Sequence, residues 1–312
     1  MLPIKLLDFS EPVVALAPLA GYTDLPFRSV VKDFGVDYTV SEMISSNALA
    51  YNSEKTLKMI TRSENENPYF VQLSGSKESI MQLAVEKLNE IDGIAGIDLN
   101  CGCPAPKVFN HGSGSNLLGD LPRLQTILKT IKKYSNKHYT TAKVRIGIDE
   151  KIPVDIAKAV EDCGVDFIAV HGRTKKGAYK APVDYDAIAA IKEAVSIPVI
   201  ANGDITDLEK ANYVLDYTKA DGIMIGRGAV GKPWIFHQIS SNDETLTNDI
   251  KKEIIIKHFL KMIEYYKEYG VVMFRKHLHT YSKGYDGASE FRNVINHTND
   301  SSQMLELIKK FF

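Results

Sequence analysis

The chain has 312 residues, of which 44% are hydrophobic and 25% are charged, a composition that excludes a disordered or fibrous protein. Its 38 lysines and arginines nearly balance its 39 aspartates and glutamates, so no overall positive field attracts a polyanion. The three cysteines are too few for a disulfide framework and no apolar run approaches the roughly 20 residues of a membrane span, so we expect a cytoplasmic protein that does not enter a membrane.

Eight short apolar runs recur along the chain, and each is followed by a polar or glycine-rich cluster and then by a segment of helix length. Near-continuous apolar strands that alternate with helices are typical of a parallel sheet buried on both faces, and eight such units close into a barrel. The pattern therefore predicts an α/β fold, a (β/α)₈ TIM barrel. Its strands are predicted at residues 13–18, 38–43, 69–73, 96–100, 140–145, 167–171, 198–202 and 222–225.

An open, doubly wound sheet is the competing architecture. It is disfavoured because no G-x-G-x-x-G sequence follows the first run, whereas residues suited to chemistry follow nearly every run. In a barrel all of those residues meet on one face.

The strand pattern stops near residue 240, and apolar residues at helical spacing, as over 254–263, replace it. We predict a catalytic barrel domain over residues 1–240 and a small all-helical domain over residues 241–312. A polar linker is predicted at residues 240–248.

The first strand is followed by the sequence APLAGYTD at residues 17–24. Small residues and a proline would let a flat ring lie against the backbone here. The plain alternative is an ordinary turn into a helix that Asp24 caps.

The fourth strand leads into Cys101, Gly102, Cys103 and Pro104. Such a C-x-C pair can bind metal, but four soft ligands are usual and Cys163 lies at a distant helix end, so we expect no metal. We interpret Cys101 as a small buried hydrophobe. Cys103 lies in a turn at the barrel mouth, where a thiol can donate its proton.

The remaining strand ends carry cations and glycines. Lys143 and Arg145 on the fifth strand, with His171 on the sixth, would be costly to bury without a bound anion or an electron-rich ring; the alternative is a surface lysine and a hydrogen-bonded core histidine. The sequences at 202–204 and 226–228 end the last two strands, where TIM barrels commonly bind phosphate.

A basic and aromatic cluster lies in the C-terminal region, where Arg275, His279 and Lys283 would form one stripe of a helix. A solvated helix face is the usual explanation of such a stripe. Cations interleaved with tyrosines also suit phosphate contact and base stacking.

Taken together, these segments resemble the tRNA-dihydrouridine synthase family over essentially the whole chain, and residues 41–56 and 275–277 are most similar to the bacterial B-type branch. The segments that carry the resemblance are 17–24, 41–43, 71–75, 100–104, 143–145, 170–174, 202–205, 226–228, 233–236 and 275–277. The sequence departs from the family at Cys101, where a bulkier residue such as Met is expected.

The resemblance implies FMN bound at the barrel mouth. The residues that it implies for the flavin ring are Pro18, Leu19, Ala20, Gln72, Lys143 and His171, and those for the phosphate are Asn202, Gly203, Asp204, Gly226 and Arg227.

The resemblance also implies a reaction. NADPH reduces FMN, hydride passes from flavin N5 to C6 of a tRNA uridine, and Cys103 protonates C5. Asn100 and Arg173 would hold the uridine. Residues implied for gripping the rest of the tRNA are Arg275, Lys276 and His279. We expect a monomer without an obligate protein partner.

Two other functions stay open at this point. A different FMN barrel oxidoreductase, acting on a free pyrimidine or a small carbonyl compound, would turn over without RNA. A non-catalytic RNA-binding or scaffold protein on a decayed barrel would be colourless when purified.

Overall fold

A ring of parallel strands surrounded by helices is followed by a group of helices in the computed structural model, which describes residues 3–243 and 245–312. Residues 1 and 2 of the predicted barrel domain and Glu244 of the predicted linker lie outside the described residues. The strands are β1 Val13–Leu16, β2 Thr39–Val40, β3 Ile44–Ser45, β4 Tyr69–Ser74, β5 Gly96–Cys101, β6 Tyr139–Arg145, β7 Phe167–His171, β8 Val199–Asn202 and β9 Gly222–Ile225.

The helices cover the outside of the ring and then the C-terminal region. They are α1 Leu25–Lys32, α2 Ser46–Ala50, α3 Glu54–Met59, α4 Glu78–Asn89, α5 Pro106–Phe109, α6 Leu121–Tyr134, α7 Pro153–Glu161, α8 Tyr185–Ala194, α9 Leu208–Thr218, α10 Ile235–Ser241, α11 Asn248–Tyr266, α12 Tyr269–Tyr281, α13 Ala288–His297 and α14 Ser301–Phe311. Two short 3₁₀ helices lie at Gly114–Gly119 and Arg227–Ala229.

Every pairing between neighbouring strands of the ring is parallel. The order is β1, β9, β8, β7, β6, β5, β4 and β2, with β3 also paired to β4. The ring closes between β1 and β2 through a parallel bridge from Ala15 to Tyr38, where Leu16 N donates to Tyr38 O over 3.4 Å. The predicted TIM barrel is therefore confirmed, and the open doubly wound alternative is excluded because β1 and β2 leave no open edge.

The prediction of one continuous strand over 38–43 was wrong, since two short strands, β2 and β3, occupy this region. The interruption has a local cause. The Ser41 hydroxyl, rather than a backbone carbonyl, accepts the hydrogen bond from Gln72 N, at 3.0 Å. The Glu42 side chain turns towards the first strand end and accepts from Gly21 N. Side-chain hydrogen bonds thus take the place of backbone hydrogen bonds between strands for a few residues.

Short polar residues fix where several helices begin. Asp24 caps α1 by accepting from Phe27 N at 3.2 Å, and Asp120 caps α6 by accepting from Arg123 N at 3.1 Å. Each cap satisfies an amide that the first helical turn leaves without a partner. The turn interpretation of residues 17–24 is therefore correct as far as Asp24 is concerned.

The two ends of the barrel differ. At the end where the strands begin, aromatic rings fill the interior, with Tyr38, Phe70 and Phe167 packed at centroid distances of 4.9–5.8 Å. The segment before β1 adds to this plug, since Phe9 contacts Phe167 at 5.6 Å. Among the described residues, a cavity large enough for a ligand lies at the opposite end, where the strands finish.

The C-terminal helices form a second apolar cluster, which includes residues of α11 to α14 together with Val30 of α1 and Trp234. The predicted linker at 240–248 begins in the last turn of α10 and reaches the first residue of α11. No described helix is both long and apolar enough to cross a membrane.

Two histidines lie at the centre of this second cluster. His258 of α11 and His277 of α12 are fully buried, with ring centroids 4.6 Å apart, and His277 stacks on Phe27 of α1 at 5.7 Å. Of the four ring nitrogens, only His258 Nδ1 has a hydrogen-bond partner among the described residues, and that partner is the Tyr281 hydroxyl at 3.0 Å. Burial lowers the pKa of His258 to about 3 and holds the pKa of His277 well below its ordinary value. Both rings are therefore neutral packing groups.

This pair predicts a pH-dependent stability. A base whose pKa falls on folding destabilises the folded state as the pH drops below its unfolded-state pKa of about 6.5. Between pH 7 and pH 5 the loss should reach about 2 kcal/mol for each histidine. In His277→Phe one of the two histidines is gone, so the free energy of unfolding should fall by about 2 kcal/mol less between pH 7 and pH 5 than in the unmodified protein. Urea unfolding at several pH values measures this difference.

The exposed His138 provides the control, because His138→Gln removes a histidine without altering the buried pair. Burial raises the pKa of Asp24 and of Asp98 to about 6, which favours the folded state at low pH. That opposite contribution is common to all variants and cancels in the comparison. Equal pH dependence in His277→Phe and the unmodified protein would contradict the prediction.

Candidate functional site

A cavity of about 740 Å³ opens at the end of the barrel where the strands finish. Its wall is formed by the segments that follow β1, β5, β7, β8 and β9, by side chains of β4 and β6, and by Thr280 and Lys283 from the C-terminal region. Every residue predicted for the cofactor lines it, as do Cys103, Asn100 and Arg173. The structure thus brings these residues together, while the role of each stays a prediction.

A chain of buried side chains sets the turn after β5. Asn100 Oδ1 accepts from Cys103 N at 2.9 Å and from Gly102 N at 3.2 Å, and Asn100 Nδ2 donates to Gln72 at 2.7 Å. Gln72 in turn donates to Asp98 at 2.8 Å, and Thr141 donates to the other Asp98 oxygen at 2.7 Å. Much of the Asn100 side chain is therefore used to hold the backbone of Cys103.

Cys103 is the half-buried cysteine of the chain, while Cys101 and Cys163 are buried. Its carbonyl accepts from Ser115 N at 3.1 Å and from Ser115 Oγ at 2.9 Å. Gly114 is pressed against it, because a Cβ there would lie 2.8 Å from Cys103 O, and its φ of +63° also favours glycine. The loop therefore holds Cys103 from both sides at the cavity wall.

Cys101 differs because it is the last residue of β5 and faces the side of the sheet opposite to its neighbour Asn100, whereas Cys103 lies in the turn beyond the strand. Its side chain packs in the apolar layer between strands and helices, and it has no accessible surface. Burial raises the pKa of the Cys101 thiol well above its ordinary value. The interpretation of Cys101 as a buried hydrophobe agrees with this position.

Lys143 is the central cation of the cavity. Its Nζ donates to Asn202 Oδ1 at 2.8 Å, and Asn202 Nδ2 donates to Met224 O at 2.6 Å, so the amide is fixed with its oxygen towards the lysine. Burial, with a smaller contribution from Arg145, lowers the pKa of Lys143 to about 8, against the opposing effect of Asp98. The ammonium therefore keeps most of its charge at neutral pH.

His171 lies among cations and is neutral. Burial, together with the charges around it, lowers its pKa to about 2. The cations responsible are Lys143, Arg145, Arg173 and Arg227. A group of positive charges with few carboxylates favours an anionic or electron-rich ligand in the space between them.

Asp204 joins two of these cations at the end of β8. Its Oδ1 accepts hydrogen bonds from Arg173 Nη1 at 3.1 Å and from Arg227 Nη2 at 2.8 Å. Arg173 also donates from Nε to Ala181 O at 2.5 Å and is 4% exposed, so its guanidinium is largely committed to protein partners. Arg227 is half-exposed and lies 4.2 Å over the ring of Tyr179.

Backbone conformation at the same end requires glycine. Gly203 has a φ of +136°, and a Cβ there would lie 2.8 Å from a methyl of Val183. The backbone at Gly203 and in the 226–228 turn can therefore approach a ligand closely, as a phosphate site requires.

Two further cavity residues, Arg145 and Tyr179, lie outside the cofactor and substrate roles that the resemblance implies. Arg145 donates from Nε to Gly102 O at 2.7 Å and from Nη1 to Thr174 O at 3.0 Å, which braces the turn before Cys103. Its position two residues after Lys143, on the same strand face, predicted a cation at the cavity, but not these bonds to the backbone. Tyr179 lies in a loop without periodicity, so no pattern predicted its place over Arg227.

The C-terminal residues predicted for tRNA do not line the cavity. Arg275 donates to Thr298 O at 2.8 Å and to Asn299 at 2.7 Å, and His279 Nε2 lies 2.9 Å from Asn296 Oδ1. Lys276 points to the barrel rim, where its Nζ lies 5.4 Å from the centroid of the Tyr22 ring.

The predicted stripe of Arg275, His279 and Lys283 was wrong at its last member. Helix α12 ends at Tyr281, so Lys283 lies beyond it and reaches the cavity instead.

Comparison with known proteins gives a consistent result. The family model described as Dihydrouridine synthase (Dus) matches residues 15–312. A probable tRNA-dihydrouridine synthase of Helicobacter pylori is 53% identical over 298 residues, which cover 95% of this chain and 91% of that protein. The tRNA-dihydrouridine synthase B of Vibrio vulnificus is 41% identical over 306 residues, covering 95% and 94%.

A solved structure shares the fold. The old yellow enzyme homologue of Zymomonas mobilis superposes with a TM-score of 0.55 at 14% identity, over 76% of this chain and 90% of that chain. At this identity the likeness bears on the barrel architecture alone.

The accessibility of the three cysteines predicts a simple labelling result. In the native protein Ellman's reagent should react quickly with Cys103, and with Cys101 and Cys163 only after unfolding, because burial shields those two sulfurs. Cys103→Ser should remove the fast phase, and Cys163→Ser should leave it intact. A fast phase that persists in Cys103→Ser would show that its sulfur is turned away from the cavity.

Proposed function

We propose that this chain, which belongs to the dihydrouridine synthase family, is an FMN-dependent oxidoreductase that reduces the C5–C6 bond of a uridine in tRNA. Its similarity to a B-type synthase is consistent with a B-type-like member. One observation carries the proposal. The segments of the barrel that resemble this family, from 17–24 to 226–228, meet around a single cavity, with Cys103 in its wall and cations on β6 and after β7 and β9.

The residues present fit a flavin mononucleotide. The cavity lies within the roughly 300–1,000 Å³ range of small-molecule sites. Pro18, Leu19 and Ala20 offer a flat, small-residue wall on one side, and the 226–228 turn offers backbone amides and Arg227 for a phosphate. When bound, FMN supplies the hydride that saturation of a carbon–carbon double bond requires.

We assign electrostatic roles to Lys143 and His171. Lys143, held by Asn202, places a positive charge where an electron-rich ring edge would lie, and this charge stabilises negative charge on that edge. The neutral His171 can donate a hydrogen bond without adding a further charge. Arg227, half-exposed at the rim, is available to a phosphate.

We assign to Cys103 the delivery of the proton. Its Sγ–H bond breaks and the proton passes to C5 of the uracil, which balances the hydride added at C6. Asn100 positions Cys103 by holding the backbone of the turn. Cys101 faces the helical layer, so it cannot substitute for Cys103 without a register shift of the strand.

The RNA must reach the cavity with its target base removed from the stack. Lys276 and Lys283 lie at the rim and are placed for phosphate contact, whereas Arg275 and His279 support the helices through their bonds to α13 and the residues after it. We retain residues 241–312 as the tRNA-binding domain and NADPH as the reductant. A monomer would suffice, since one chain supplies the whole cavity.

The two neighbouring thiols provide a matched test of the proton donor. Cys103→Ala should lower dihydrouridine formation about 10²- to 10⁴-fold, while FMN content and the rate of flavin reduction by NADPH stay unchanged. Cys101→Ala should keep nearly full activity. Mass spectrometry of the tRNA and stopped-flow absorbance measure the two half-reactions, and equal losses in both variants would contradict the assignment.

Loss of the gene tests the function as a whole. In a strain that lacks this protein and any paralogue, dihydrouridine should disappear from a defined tRNA position, and the unmodified gene should restore it. Position-resolved mapping of dihydrouridine measures this. Two results together would overturn the proposal: the purified protein carries no flavin, and the tRNA of the deletion strain is unchanged.

A further inference from the structure

A layer of polar side chains lies between the cavity and the aromatic rings that fill the opposite end of the barrel. Gln72 of β4, Asp98 of β5 and Thr141 of β6 are paired in register, one layer above Phe70. Each of the three is at most 5% exposed. Gln72 also lines the cavity, whereas Asp98 lies beneath the cavity wall, with hydrogen bonds to both carboxylate oxygens. A carboxylate in this position acts on the site through its hydrogen-bond partners.

Three hydrogen bonds in series connect Asp98 to the turn that follows β5. Gln72 Nε2 donates to Asp98 Oδ2 at 2.8 Å. Asn100 Nδ2 donates to Gln72 Oε1 at 2.7 Å, and Cys103 N donates to Asn100 Oδ1 at 2.9 Å. We call this series the polar relay. It joins a buried carboxylate to the backbone of Cys103 through two side-chain amides.

Both ends of the polar relay fix its direction. A backbone N–H can only donate, so Asn100 must turn its oxygen to the turn and its nitrogen to Gln72. An ionised carboxylate can only accept, so Gln72 must turn its nitrogen to Asp98. Burial raises the pKa of Asp98 to about 6, which leaves the carboxylate mostly ionised at neutral pH. The acceptor at position 98 thus orients Gln72, and Gln72 orients Asn100.

Other contacts hold the same turn by its carbonyl groups. Arg145 Nε donates to Gly102 O at 2.7 Å, and Ser115 Oγ donates to Cys103 O at 2.9 Å. The polar relay holds the N–H groups, since Asn100 Oδ1 accepts from both Gly102 N and Cys103 N. Loss of the relay should therefore loosen the turn while the carbonyl contacts keep it in place.

We propose that Asp98 is a positioning residue for the proton donor. By accepting from Gln72 it orients Asn100, and Asn100 holds the turn that presents Cys103 to the cavity. The inference rests on the proposed function for the role of Cys103. The polar relay itself is a property of the fold and can be tested without turnover.

Hydrogen exchange of the Gly102 and Cys103 amides in the flavin-loaded protein tests the polar relay. Asp98→Ala should speed exchange at these two amides about 2- to 10-fold, as expected when one hydrogen bond is lost. Asp98→Asn should restore most of the protection, because its oxygen can accept from Gln72 while its amide donates to Thr141. Thr141→Val is the matched control, since it removes the other hydrogen bond of Asp98 and leaves the relay intact.

The rate of uridine reduction tests the positioning role. With pre-reduced enzyme and saturating tRNA, this rate should fall in Asp98→Ala by up to about 100-fold, because a misplaced group reacts slowly. The dissociation constant for tRNA should stay unchanged. Melting temperatures identify the folded variants. If Asp98→Ala does not fold, Gln72→Met breaks the relay one bond nearer the turn and should speed exchange at the same two amides.

Three results would each overturn the inference. They are unchanged exchange at the two amides in folded Asp98→Ala, equally fast exchange in Thr141→Val or Asp98→Asn, and faster exchange with an unchanged rate of uridine reduction. Failure of the proposed function is recognised separately. In that case the unmodified protein itself forms no dihydrouridine, whatever the exchange of its amides.

Discussion

Parallel pairing around a closed ring is the constraint on which the rest of this molecule depends. Because all strands run in one direction, every segment that follows a strand lies on the same rim. Residues as distant in the chain as Pro18 and Arg227 therefore line one cavity. The aromatic plug at the opposite end, built on Tyr38, Phe70 and Phe167, leaves that rim as the entrance to the barrel.

The rim concentrates positive charge at a cost to the folded protein. Lys143 and His171 both have lowered pKa values, because burial and neighbouring cations disfavour their protonated forms. Asp204 offsets part of this repulsion by joining Arg173 to Arg227. A bound anion would offset more of it, so ligand binding and the stability of the rim are thermodynamically linked. Sites that bind charged cofactors commonly sacrifice stability in this way.

Most of the barrel could be predicted from the sequence because buried parallel strands are apolar throughout and recur at the spacing of βα units. The same periodicity failed wherever a side chain took over a backbone role, as Ser41 does within the expected second strand. Cavity residues at strand ends were predictable, since topology alone brings them together. Tyr179 was not, because its position depends on the course of an irregular loop.

Tertiary contacts account for the other differences. Arg275 and His279 were predicted to contact tRNA, but they bond to α13 and the residues after it because helices α12 and α13 face each other. No local sequence pattern encodes that contact. His258 belongs to the helical pattern predicted over 254–263 and His277 to the basic segment at 275–277, and only the structure shows that both rings are enclosed. Local sequence therefore predicted the elements and the rim, while contacts between helices determined which polar groups stay available.

The closure of the ring through Ala15 and Tyr38 has a consequence for motion. β1 pairs with β9 along its whole length but meets β2 at a single bridge, beside which Asp37 N donates to Val14 O and Val14 N donates to Asp37 Oδ2, so paired residues are fewest at this seam. The seam lies directly below the 17–20 segment that forms one wall of the cavity. We therefore expect local opening of the barrel to occur first at this seam, next to the entrance of the cavity.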